Sequence, residues 1–294
     1  MRLLRCATLT VSDVEATARR YVEWMGYEIV ERGIVSADLA ASWGAPASGG
    51  RAYALARPAS GAEVYLRFVQ GTGHPDYLPL RTYGWAAIEI CVTDTLAVNE
   101  RMEASPFEII GPPRELDGLP AIFPMQVKGP DQEIVYLTQI RSDLEAYDLP
   151  RAQSLIDTLF ILVMGCSDMG ASITWFDQTL GIKAGREMEI VYTMLANAFG
   201  LPLEQKHRIA TGIHERDCFL EYDQYPVEAT VRPGAYGELP TGIAMATLLH
   251  PDIDAIKGDW ITPLSPRDSR LYGKGRVGTL RAPDGTLVEI VEQV

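Results

Sequence analysis

The chain has 294 residues, 47% of them hydrophobic and 22% charged, with a formal net charge of −13. That length supports two ordinary domains with real cores, and the composition is that of a globular protein. An acidic surface repels phosphate, so nucleic acid and anionic membrane are not expected partners, and no apolar run is long enough to span a bilayer. The four cysteines, Cys6, Cys91, Cys166 and Cys218, are far apart and show no Cys-x-x-Cys spacing, so reduced, buried thiols are expected. Met1-Arg2-Leu3-Leu4-Arg5 opens like a signal peptide, but the apolar run after it is short and enters a capped helix at Ser12-Asp13. The expected compartment is the cytoplasm.

Residues 3–11 read as a strand. Ser12 is placed to cap a helix, with Glu15 completing a capping box. Val14, Ala18, Tyr21, Val22 and Met25 recur at helical spacing, and Gly26 suits a left-handed helix end. Strands follow near 27–33, 51–57 and 62–70, making one β-α-β-β-β unit. A second unit runs through a strand at 85–93, a helix near 95–103, and strands near 107–111, 121–128 and 132–140. Residues 141–154 are polar, contain Pro150 and read as a linker. The third unit restarts with a strand at 156–164, then Ser167-Asp168, then a helix with Met169, Ile173, Phe176 and Leu180 on one face and Gly181 at its end. A fourth runs from about 241 to 294, with a poorer helix after His250-Pro251-Asp252.

The halves repeat. Asp13 to Asp168, Tyr21 to Phe176 and Gly26 to Gly181 are each 155 positions apart. Trp43-Gly44-Ala45-Pro46 matches Phe199-Gly200-Leu201-Pro202 at 156, and the turn aspartates of Pro130-Asp131 and Pro283-Asp284 lie 153 apart. A nearly constant offset that also aligns loops and turns means duplication. Each Pro-Asp turn closes a hairpin, because Pro presets the turn dihedral and Asp bonds nearby backbone.

Tandem units of this kind resemble the vicinal oxygen chelate superfamily, which includes glyoxalases, bleomycin-resistance proteins and extradiol dioxygenases. The resemblance is carried by Thr10-Val11-Ser12-Asp13-Val14, by Trp24-Met25-Gly26 and its echo Trp175-Phe176 with Leu180-Gly181, and by the two Pro-Asp hairpins. It implies an α+β fold in which two units form one eight-stranded incomplete barrel around a cup. The expected domains are 1–140 and 155–294, joined by 141–154.

The resemblance also implies where a metal would sit: on the first strands of two paired units and on a last strand. In the first half those positions fall on Cys6, Ala87 and Tyr136; in the second, on Thr158, a residue between Gly242 and Met245, and Glu289. Glu289 alone matches the family's ligand type, and an additional carboxylate position of some relatives corresponds to Glu221 in the second cup; without imidazole the pair is a weak candidate. His74, His207, His214 and His250 lack the spacing of a ligand pair. No metal or other cofactor is expected.

Glu89 lies two residues after Ala87, so alternation turns both to one side, and Arg67 interrupts the apolar strand Tyr65-Leu66-Arg67-Phe68-Val69. Glu89, Tyr136 and Arg67 are the expected catalytic set in the first cup: a carboxylate to take a proton beside a carbonyl, a phenol and a guanidinium to hold the oxyanion. A structural Glu89–Arg67 ion pair is the competing reading. Cys6, Thr8, Trp43 and Trp85 are the expected substrate contacts, with Trp43 and Phe199 as lids or core plugs over their cups. Three functions stay open. One is a metal-independent isomerase, lyase or hydrolytic enzyme acting on a small oxygenated apolar or aromatic molecule. The second is a ligand-sequestering protein of the bleomycin-resistance kind, and the third an extradiol dioxygenase, against which the missing histidines argue. The expected partner is a small molecule, and a homodimer is compatible with each reading.

Overall fold

The computed structural model describes residues 2–116 and 118–293; Met1, Asp117 and Val294, including the outer ends of both expected halves, lie outside them. The first unit comprises β1 (Leu4–Val11), α1 (Val14–Arg20) running into a wider turn at Tyr21–Met25, β2 (Tyr27–Ile34), α2 (Ala37–Ser42), β3 (Ala52–Pro58) and β4 (Tyr65–Gln70). The second comprises β5 (Gly84–Val92), α3 (Thr95–Glu103), β6 (Glu108–Gly111), β7 (Ile122–Lys128) and β8 (Ile134–Ile140). The third holds β9 (Ile156–Cys166), α4 (Met169–Leu180), β10 (Lys183–Val191), α5 (Thr193–Phe199), β11 (Lys206–His214) and β12 (Asp217–Gln224). The fourth holds β13 (Gly242–His250), β14 (Ser265–Pro266), β15 (Arg276–Arg281) and β16 (Leu287–Glu292), with only a short turn, Ile253–Ala255, where the other units have a helix.

Local signals act close to where the residues put them. Asp13, not Ser12, caps α1 by accepting from the Ala16 amide at 3.0 Å. Glu15 pairs with Arg32 at 3.0 Å instead of closing a capping box. Asp168 caps α4, and Gly26 and Gly181 end their helices at φ 68° and 67°.

The strands form two eight-stranded sheets, ordered β14-β15-β16-β13-β1-β4-β3-β2 and β10-β11-β12-β9-β5-β8-β7-β6. This corrects the expected division at 1–140 and 155–294. The first unit pairs with the fourth, and the second with the third. We call these the outer and inner barrels. The outer seam is antiparallel β1–β13, running from Leu4 opposite Leu248 to Thr10 opposite Gly242. The inner seam is β5–β9, with Glu89 opposite Ile161. The physical reason lies in the seam strands. All four are almost wholly buried, with apolar residues on both faces, so the pattern of any one suits any other.

The barrels share a core. Tyr21 of the first unit packs on Phe68 at 4.7 Å and on Phe107 of the second unit at 5.9 Å between ring centres. Trp85 meets Phe176 of α4 at 6.3 Å. The Pro-Asp turns fasten one barrel to the other. Asp131 of the inner barrel accepts from the Ser12 amide at 2.9 Å and hydroxyl at 2.7 Å, from the Thr17 hydroxyl at 2.6 Å, and from Arg20. Asp284 of the outer barrel takes the Ser167 amide at 2.9 Å and hydroxyl at 2.6 Å. Among the described residues no helix is long and apolar enough to cross a membrane.

Candidate functional site

The floor of the outer barrel is closed. Arg67 on β4 donates to Thr8 at 2.9 Å, to the Tyr272 hydroxyl at 2.5 Å and to Glu289 on β16 at 3.0 Å. Glu289 also accepts from Thr247 at 2.7 Å, the Trp43 indole at 2.7 Å and Tyr272 at 2.9 Å. The Trp43 ring covers the guanidinium at 4.6 Å, and Arg67 and Glu289 are 3% and 0% exposed. Burial, the largest single influence, would lower the arginine's pKa, but Glu289, Tyr272 and Cys6 together outweigh it and keep the cation protonated. Burial pushes the neighbouring Cys6 thiol up to about 12, so it is no nucleophile at neutral pH. A cavity of about 340 Å³ lies above this network, lined in part by Tyr53, Arg267 and Ser269.

The inner barrel is different. Glu89 on β5 is in register with Tyr136 on parallel β8, while Glu221 on β12 neighbours Val163 on β9. Glu89, Tyr136 and Glu221 line one cavity of about 670 Å³. Thr138 donates to Glu89 at 2.5 Å, and the hydroxyls of Tyr136 and Tyr192 form a short hydrogen bond. Asp223, two residues after Glu221, lies behind it on the same strand and is 2% exposed. Burial first, then the Glu221 charge, raise Glu89 to about 8 against the Thr138 hydrogen bond. Burial raises Asp223 to about 7, opposed by hydrogen bonds with Glu221 and Tyr192. Burial and the Asp223 charge push Glu221 well above the usual carboxylate range, and burial does the same to the Tyr136 phenol. The site therefore holds carboxyl groups whose proton is exchangeable near neutrality.

Most of the cavity wall is apolar, including Ile122, Phe160, Ile161, Met188 and Ile190. Its cover comes from three places: the segment after β6, the linker residues 144–149, and α5. The linker does more than cross between units. Tyr147 shares a hydrogen bond with Thr211 at 3.1 Å and accepts from the Arg186 amide at 3.0 Å, and Asp148 pairs with Arg216 at 2.8 Å. Helix α5 contributes Thr193, Met194 and Asn197 to the cavity. Phe199 at its end packs on Tyr225 and under Arg81.

The expected set is thus divided. Glu89 and Tyr136 come together, but Arg67 belongs to the outer barrel and pairs with Glu289, not Glu89. The cause is the exchanged unit pairing, which sends the first and second units to different barrels. Cys6, Thr8 and Trp43 are outer-barrel residues for the same reason, and Trp43 is a plug under its cup. Trp85 reaches neither cup; it is buried between the barrels, donating to the Leu287 carbonyl at 2.8 Å. Glu221 and Glu289 stand in different sheets and cannot share an ion, which corrects their joint placement in one cup. Asp223 and Tyr192 escaped sequence reasoning. The alternation Glu221-x-Asp223 could have found the first; Tyr192 sits in a connection with no pattern of its own.

In the outer barrel a guanidinium already neutralises Glu289, and among the described residues no three His, Cys, Asp or Glu side chains group to hold an ion.

No family model matches the sequence, and no curated protein matches it. Solved structures do. Glyoxalase I from Zea mays is 17% identical with a TM-score of 0.66, covering 99% of this chain and 92% of that one. A Bacillus subtilis protein named as a dioxygenase is 12% identical with a TM-score of 0.63, covering 98% and 84%. At such identities the likeness establishes the fold alone: this chain has a glyoxalase I-like architecture, with four units in one polypeptide.

Proposed function

We propose that the inner barrel is the site of a small-molecule enzyme that moves a proton beside a carbonyl, with no step through a metal. The observation that carries this reading is Glu89, 8% exposed, poised near pH 8 at the wall of a largely apolar cavity and in register with the Tyr136 hydroxyl. Ionised Glu89 takes the proton from the carbon next to the carbonyl. The electron pair moves to the carbonyl oxygen, where the Tyr136 hydroxyl donates a hydrogen bond. Returning the proton to another carbon gives an isomerase; expelling a group from the β-carbon gives a lyase. The apolar wall selects an apolar or aromatic body, and its volume of about 670 Å³ is within the usual range for small-molecule sites.

The test is α-deuterium exchange of β-tetralone in D₂O, followed by proton NMR. Exchange above the buffer rate that is lost in Glu89→Gln, with tetralone binding retained, supports the enzyme. Exchange equal in wild type and variant sinks it. The sequestering reading then gains, favoured by the cover that 144–149 and α5 lay over the cavity. Stoichiometric iron or manganese in the purified protein, with oxygen uptake on a catechol, would revive the dioxygenase.

A further inference from the structure

The carboxyl groups of the inner barrel lack the cation that two other buried carboxylates of this chain have. Glu289 has Arg67, and Asp131 has Arg20. No arginine, lysine or histidine pairs with Glu89, Glu221 or Asp223 among the described residues. Glu89 and Asp223 are more than nine-tenths buried, and one oxygen of Asp223 has no hydrogen-bond partner. Buried carboxylates are stable when a cation or several donors face them. Here the space in front of Glu89 and Glu221 is a cavity, with the aromatic rings of Tyr136, Tyr192 and Phe160 also in its wall. Aromatic faces attract positive charge.

We infer that this cavity takes an organic cation: a protonated amine or quaternary ammonium on an apolar body, its nitrogen seated between Glu89 and Glu221. The inference rests on the reading of the inner barrel as the ligand site and adds the charge of the ligand. Two arginines also line the cavity, Arg114 and Arg186, and would favour an anion. Their situation decides otherwise. Arg186 is exposed, and Arg114 is half-buried against Thr193 at 3.4 Å. A hydrated guanidinium costs nothing when unpaired, whereas the carboxyl groups of the apolar wall hold protons for want of a cation and can ionise when one is seated between them. A ligand anion pushed inward would meet Glu89 and Glu221.

The experiment is calorimetry on the full chain with a matched series: naphthylmethylamine, naphthylmethanol and naphthylacetate, near neutral pH. The amine is expected to bind at least about tenfold tighter than the alcohol, the ratio a charge-assisted contact gives. Glu221→Gln is expected to remove that advantage, bringing the amine to the alcohol's affinity. Ile190→Trp, which fills the cavity from β10, should abolish binding of all three. Equal affinity for amine and alcohol, or preference for the acetate, overturns the cation while leaving the cavity as the ligand site. Amine binding that survives Ile190→Trp overturns the location, and the cation inference with it. Failure of all three to bind wild type overturns both. Should Glu221→Gln not fold, the wild-type series decides alone.

Discussion

Arg67 and Glu289 meet at 3.0 Å on the floor of the outer barrel, and the strand positions they occupy are held in the inner barrel by Glu221 and Tyr136. The registers show the equivalence. Arg67 is beside Thr8 as Glu221 is beside Val163, and Glu289 is beside Thr247 as Tyr136 is beside Glu89. Thr8 and Val163 are themselves repeat partners, 155 apart. One pair of positions is thus a sealed ion pair in one barrel and an open, proton-bearing wall in the other.

Removing one member of the sealed pair should be costly. Arg67→Met leaves Glu289 buried with a charge and no cation, and is expected to destabilise the protein by about 3–5 kcal/mol. Arg67→Met combined with Glu289→Met should recover much of that loss. Urea unfolding of the three variants beside wild type checks it; additive losses would show that the pair is not coupled.

The proton exchange proposed for Glu89 has a defined pH dependence. The active form is the carboxylate, and its pKa stands near 8. Exchange of β-tetralone should therefore rise about tenfold per pH unit below that value and level off above it. A profile already flat from pH values near the ordinary carboxylate range would show that Glu89 is not the base.

Glu133 offers a stability test away from the cavity. It is 1% exposed, and burial raises it to about 8, opposed by hydrogen bonding to its own backbone. A raised folded pKa means the folded state holds a proton that the unfolded chain has lost. Its contribution is complete below the unfolded pKa and falls as pH rises towards the folded one. Wild type should lose stability relative to Glu133→Gln by about 1.4 kcal/mol per pH unit across that window. Chemical denaturation at a series of pH values reads the slope; parallel profiles would contradict it.

The two turn aspartates should differ in weight. Asp131 holds Ser12, Thr17 and the cation of Arg20, whereas Asp284 holds Ser167. Asp131→Ala is expected to cost about 2–4 kcal/mol and Asp284→Ala about 1–2 kcal/mol, from the number and charge of the bonds lost. Calorimetric melting of each variant ranks them, and equal losses would argue against Arg20 as the difference.

What could be read beforehand was local. Gly26, Gly181, Asp13 and Asp168 act within a turn of their own position, so each unit was visible in its own residues. Which unit joins which was not, because β1, β5, β9 and β13 are all buried on both faces and carry no mark of their partner. The site inherited that limit. Alternation brought Glu89 and Tyr136 to one cup, but it could not say that Arg67 lies in the other. Nor could it see that residues 144–149, polar enough to read as a linker, fold back over the cavity.

The nested order of the strands has a consequence for how the chain is made. Leu4, on the first strand of the first unit, finds its partner in Leu248, while every strand of the inner barrel lies between Gly84 and Gln224. A ribosome that has reached Gln224 has already delivered both carboxyl-bearing strands and the tyrosines that face them. The leading unit has meanwhile emerged without its mate, and its β1 edge stays open until β13 follows. Loop closure across such a span is slow compared with the contacts inside each unit. The candidate site is therefore complete in the nascent chain before the molecule is, and the late-arriving fourth unit finishes the scaffold around a cup that is already formed.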